Sequence, residues 1–163
     1  MGDDGKSVKR IKAKKDGFAI RLPEEERELL ASLPGQLVEL LDATAGDADA
    51  LSDPAIARLF PDAYSAADGD LAEEYRRLMT DDLRERHRAS LETLARGART
   101  EHVDEGELYA WMTALTQLRL VLGTRLGITE DSAPQEDEPA YAVYSYLSYL
   151  QELIVEALSS KGS

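Results

Sequence analysis

The stretch "VDEGELYAWMTALTQLRLVLGTRLG", residues 103–127, decides the fold. Asp104 stands where it can cap a helix, and Glu107 stands where its side chain can return to the cap backbone. Val103 and Leu108 flank that cap at the positions of a hydrophobic staple. Leu108, Trp111, Met112, Leu115, Leu118, Leu122 and Leu126 then recur at helical spacing. Gly127 follows where a left-handed cap closes a helix. Start, stripe and stop agree, so residues 105–126 read as one helix. Arg119 interrupts the stripe, lying on the same face as Leu115 and Leu122.

Towards the N-terminus, Asp70 opens a longer helical stretch over residues 70–97. Leu71, Tyr75, Leu78 and Met79 form one stripe, and Leu83, His87, Leu91 and Leu94 another. The phase slips at Thr80–Asp82, which predicts a break recapped at Thr80. Glu73–Arg77, Asp82–Arg86 and Glu92–Arg96 are spaced as helix ion pairs with the acid first, worth a few tenths of a kcal/mol each. That pattern reads as a solvated face more readily than as a nucleic-acid surface. A short helix at 54–60 is capped by Asp53, points Ile56, Leu59 and Phe60 inward, and is stopped by Pro61. Residues 43–52 read as a loop. Residues 23–42 read as helical, opening on Pro23 with Glu24, Glu25 and Glu26 at the positive helix end. Pro34-Gly35 interrupts its leucine stripe, so a kink or two short helices are expected.

Residues 8–22, "VKRIKAKKDGFAIRL", read as a β-hairpin. Phe18, Ile20 and Leu22 alternate as a half-buried strand does, and Asp16-Gly17 is a two-residue turn signal. An isolated hairpin is marginal in water, so helices must cover it. Towards the C-terminus, residues 128–138 read as a mobile acidic loop. The closing helix, 139–159, is apolar almost all round, which predicts a central position or a seam shared with a second copy of the chain. The whole is expected to be a mostly α, single compact domain of about five to six helices carrying an N-terminal β-hairpin.

Composition bounds the chemistry. The 163 residues suit one domain, and 43% of them are hydrophobic. Cysteine is absent, which excludes disulfides, zinc–thiolate sites and cysteine nucleophiles. No apolar run approaches the roughly 20 residues that span a bilayer, and the first ten residues lack the apolar core of a signal peptide. A cytoplasmic location is the expectation. His87 and His102 each lack a second histidine at metal-ligand spacing, and no phosphate-loop, dinucleotide or nucleophile-elbow motif occurs. His87 shares a core phase with Leu83 and Leu91, which suits a satisfied core histidine better than a base. No catalytic, cofactor-binding or metal-ligating residue is therefore nominated, and no enzyme is expected.

Net charge is −13. Residues 1–22 carry Lys6, Lys9, Arg10, Lys12, Lys14, Lys15 and Arg21 against Asp3, Asp4 and Asp16, a local +4 that leaves −17 elsewhere. A basic arm on an acidic body is either a solvated ribbon or a contact for an acidic partner or phosphates. Lys9, Arg10, Lys12, Lys14 and Lys15 are accordingly partner-binding candidates. Direct binding of nucleic acid is disfavoured by the body's charge. Tyr141, Tyr144, Tyr146 and Tyr149 suit a core, a dimer seam or a groove for another protein, and Tyr146 and Tyr149 join the partner-binding candidates. A buried Arg119 cannot shed its proton and needs a partner. Glu152 is the leading candidate for a buried ion pair, with Asp62 and Asp82 behind it. Presenting Arg119 to an anion, or laying its stem on the core with the head in water, are the other readings.

Taken together, "LLASLPGQLVELL", "DPAIARLFPDAY", "EYRRLMTDDLRE", "LRLVLGTRLGI" and the tyrosine-rich "AVYSYLSYLQE" resemble an actinobacterial domain-of-unknown-function family. Some of its members are labelled oxidative-stress transcriptional regulator AosR. The resemblance spans nearly the whole chain and rests on no catalytic motif. It implies a cytoplasmic, non-enzymatic regulator that contacts an alternative sigma factor and RNA polymerase. Family genes often neighbour the adaptor of the Clp protease, which implies an alternative role in proteolysis; direct DNA binding through the basic hairpin is a further alternative. The family's redox sensing is attributed to a cysteine pair, and this chain has none.

Overall fold

The helix read from residues 103–127 is α4, Glu105–Leu126, in the computed structural model, which describes residues 9–43, 53–60, 70–127 and 138–161. Its capping box is closed both ways. Asp104 Oδ1 accepts from the Glu107 N–H at 2.7 Å, and Glu107 Oε1 accepts from the Asp104 N–H at 2.8 Å. The staple residues Val103 and Leu108 are buried, and Gly127 caps the far end at φ 70°.

Around α4 lie α1 (Glu24–Ala43), α2 (Pro54–Ala57), α3 (Asp70–Gly97) and α5 (Pro139–Lys161). Burial runs nearly all round α4, through Leu108, Trp111, Ala114, Leu115, Gln117, Leu118 and Val121. The central rod is therefore α4. Of the two expectations for the last helix, the central position is corrected, and the seam shared with a second copy stays an expectation. Leu147, Leu150, Gln151 and Ile154 of α5 face inward, while Tyr149, Glu152 and Val155 face solvent. Apolar bulk alone misleads here because tyrosine buries a ring while keeping its hydroxyl wet.

Neither the split into two short helices at Pro34-Gly35 nor the recapping at Thr80 occurs. The α1 helix continues through Pro34, whose ring is itself buried with Leu30, Leu37 and Leu41. That burial offsets the missing hydrogen bond. The α3 helix passes through Thr80 without recapping. Asp81 and Asp82 bind forward to Arg84 at 2.6 Å and Arg86 at 3.1 Å, so their carboxylates serve the helix side and not a new start. The slip in phase appears instead as a change of environment. Tyr75 and Leu78 are 62% and 63% exposed, whereas Leu91 and Leu94 are fully buried.

The hairpin pairs β1 (Ile11–Lys14) with β2 (Gly17–Ile20), Ile11 opposite Ile20 and Lys14 opposite Gly17. The turn falls on Lys15-Asp16, one residue earlier than Asp16-Gly17, and Gly17 takes the positive φ of 146° as the first residue of β2. A third strand unforeseen from sequence, β3 (His102–Val103), pairs with the other side of β2 and gives the order β1-β2-β3. Phe18, Ile20, Ile11 and Val103 turn one face of this sheet into the core. The short helix is confirmed but ends at Ala57, with Asp53 accepting from the Ala55 N–H at 2.9 Å. Ile56, Leu59 and Phe60 are buried as expected. Val8, the stop at Pro61, Asp62 and the acidic stretch 128–137 lie outside the described residues. The described elements make one compact, mostly α domain with five helices.

Candidate functional site

Alternation along β1 sorts its side chains. Ile11 and Ala13 turn towards the core, while Lys12 and Lys14 stand exposed on the other face, with Lys9 and Lys15 exposed at the ends. Arg10 behaves differently. Its guanidinium forks onto Glu26 of α1, Nε to Oε1 at 2.9 Å and Nη2 to Oε2 at 2.7 Å. Tyr146 of α5 donates to the same Oε1 at 2.8 Å, and Tyr149 lies beside Arg10 with its ring centroid 5.7 Å away.

Burial pushes the Glu26 carboxyl up, but the Arg10 fork and the Tyr146 hydroxyl outweigh it and hold the group below the usual carboxylate range. Burial, reinforced by Glu26, pushes the Tyr146 phenol above its ordinary value. The Glu26 hydrogen bond raises Arg10 further still. Glu26 is thus an anion and Tyr146 a neutral donor at neutral pH. Arg10 and Tyr146 tie the hairpin, α1 and α5 together. Arg10 is still part-exposed, as is Tyr146, and both stand among the partner-binding candidates with Lys9, Lys12, Lys14, Lys15 and the 44%-exposed Tyr149.

Between β1 and α5 runs a cleft of about 200 Å³, lined by Lys9, Ile11 and Ala13 on one side and Tyr149, Leu153 and Ala157 on the other. Nearby, at the hairpin turn, the Lys161 ammonium donates to the Lys14 carbonyl at 2.5 Å and lies 5.2 Å from the Phe18 ring centroid.

Among the described residues Arg119 forms no ion pair, and the expected pairing with Glu152 is corrected. It is half-buried, donates from Nη1 to Gln151 Oε1 at 2.5 Å, and lies 5.3 Å from the Tyr144 ring centroid. Glu152 is exposed, one position round α5 from Gln151. Asp82 is committed to Arg86. A neutral amide and a ring face suffice because the guanidinium keeps part of its surface in water.

His87 is a satisfied core histidine. Its Nε2 lies 2.9 Å from the Leu59 carbonyl and its Nδ1 2.6 Å from Gln117 Nε2. Burial lowers its proton affinity. Arg27 is the residue that sequence reasoning missed. It donates to the carbonyls of Ile20, Leu22, Ala98 and Thr100, tying the end of β2 to the α3–β3 turn. Nothing in "EEERELL" distinguishes it from a solvated cation.

Among the described residues no three of His, Asp or Glu gather as a metal site, and no helix is long and apolar enough to cross a membrane. A family model described as a domain of unknown function, DUF2017, matches residues 8–158. The chain belongs to the DUF2017 family. It is similar to a Mycobacterium leprae (strain TN) protein named "Putative oxidative stress regulator AosR", 31% identical over 156 residues, covering 82% of this chain and 70% of that one. No solved structure matches.

Proposed function

We propose that this DUF2017 chain is a non-enzymatic regulator of the oxidative stress response that works by holding another protein, with a sigma factor or RNA polymerase as that partner. The name of its M. leprae relative supports the regulatory part. One surface supports the contact part. Lys9, Lys12, Lys14 and Lys15 make a basic strip beside the exposed Tyr149, on a chain whose net charge is −13. Such a strip steers an acidic surface into register while the rest of the exterior repels it. Thiol switching has no substrate in this chain, so an oxidant response needs methionine chemistry or a partner's thiol, or the chain itself senses no oxidant.

Affinity capture from lysate followed by mass spectrometry tests the reading. Recovery of a sigma factor or polymerase subunits, weakened as salt rises, supports it. Recovery of Clp protease subunits instead replaces it with the adaptor role. A shift of duplex DNA at low salt, lost when Lys12, Lys14 and Lys15 are neutralised together, replaces it with direct DNA binding.

A further inference from the structure

Among the described residues the outer edge of β1 carries unused backbone groups. Arg21 N–H donates to the Arg10 carbonyl at 2.7 Å, which marks Arg10–Arg21 as a hydrogen-bonded pair. Antiparallel pairs alternate, so Lys12–Ala19 and Lys14–Gly17 are also bonded pairs, and Ile11–Ile20 and Ala13–Phe18 are not. The Ile20 N–H indeed turns the other way, to the Glu101 carbonyl at 2.9 Å. Ile11 and Ala13 therefore aim both their N–H and their C=O groups outward, at the free edge of the sheet. These two residues also line the cleft against α5. A strand edge beside an apolar cleft is the geometry by which an extended peptide adds to a sheet.

We infer that the free edge of β1 docks an extended segment of a partner protein in which acidic and apolar residues alternate. The inference rests on the protein-contact reading above and specifies its surface. A guest strand places residues opposite Ile11 and Ala13 over the cleft, where Leu153 and Ala157 offer apolar surface and Glu156 repels an acid. It places the intervening residues opposite Lys12 and Lys14 on the solvent face, where carboxylates are matched. A second copy of β1 is disfavoured in this position, because its own Lys12 and Lys14 would meet like charge.

The probe is a capped, fluorescein-labelled peptide of about ten residues alternating glutamate and valine, long enough to span β1. Fluorescence anisotropy is expected to show saturable binding that weakens with salt and falls about tenfold or more in the Lys12→Glu/Lys14→Glu variant. The same peptide N-methylated at alternate amides is expected not to bind the unaltered protein, which removes any question of folding. Ala13→Pro, which deletes an outward donor where an edge strand tolerates proline, is expected to abolish binding with the circular dichroism spectrum retained.

Equal binding of the methylated peptide, or of a lysine–valine peptide, overturns the inference. So does an absence of saturation by about 1 mM peptide. An Ala13→Pro variant that still captures its partner from lysate overturns the docking edge while the protein-contact reading stands. Methylation-sensitive peptide binding sustains the edge even where capture returns neither sigma factor nor polymerase, a result that overturns only the partner named above.

Discussion

Arg119 reaches across the seam between α4 and α5 to Gln151, Nη1 to Oε1 at 2.5 Å, and among the described residues no carboxylate takes part. The Gln151 amide in turn donates to the Met112 carbonyl at 3.2 Å and to Thr116 Oγ1 at 2.8 Å. Arg119→Met therefore leaves a neutral, still-bonded amide behind. Urea denaturation should show a loss of about 1 kcal/mol, against the 3–5 kcal/mol that follows when a trapped carboxylate loses its partner. Gln151→Leu should cost more than Arg119→Met, because it takes the acceptor from a half-buried guanidinium, while the Met112 carbonyl keeps Thr116 Oγ1 as a donor at 3.0 Å. A double-mutant cycle between the two should give clear coupling.

Arg27 carries more. Four carbonyls, from the end of β2 and the turn after α3, converge on one guanidinium. In Arg27→Met these acceptors lose their donor at once, and unfolding free energy should fall by on the order of 3 kcal/mol. Arg99→Met, which removes an exposed 3.4 Å contact to Glu24, should change the same measurement by less than about 0.5 kcal/mol.

Gly97 closes α3 against the indole of Trp111, and a Cβ there would stand 2.7 Å from Nε1 and 2.8 Å from Cζ2. The ring is fully buried and has no room to swing away. Gly97→Ala should destabilise by about 1–3 kcal/mol despite the better helix propensity of alanine. Gly35→Ala, with nothing near the added methyl, should be neutral or stabilising. Thermal denaturation of the pair separates packing from propensity.

His87 binds its proton less readily in the fold than in the open chain, because burial disfavours the imidazolium; the Leu59 carbonyl opposes this and Arg86 adds to it. Just below the ordinary histidine value near 6.5 the unfolded chain thus holds more protons. Stability should fall as pH drops through that window, then level off with respect to this group once the folded value is passed. His87→Gln should flatten the dependence between about pH 7 and pH 5.5. An equal slope in both proteins would show that other groups set it.

Legibility in the sequence followed range. The Asp104–Glu107 box, the Asp53 cap and the Gly127 stop are decided within a few residues, and all three were read correctly. The hairpin was read, but its turn was placed one residue late, because Gly17 supplies a positive φ to the strand start as readily as to a turn. β3 is two residues long and merges with the α4 cap, so no alternation could reveal it. The Arg10–Glu26–Tyr146 cluster joins residues 16 and 120 positions apart, and Arg27 meets acceptors up to 73 positions away. Periodicity says which face is buried, not what a cation on that face will find. The same limit set Arg119 against Glu152 when its partner was the neighbouring Gln151.

Lys161 clasps the turn of the hairpin, so the first strand described is locked by the last helical residue. Those two pieces are 147 residues apart in sequence. The hairpin therefore emerges from a ribosome long before its clasp does and stays half-clothed in the meantime. Trimming a few residues from the terminal helix should leave it loose in the finished molecule as well.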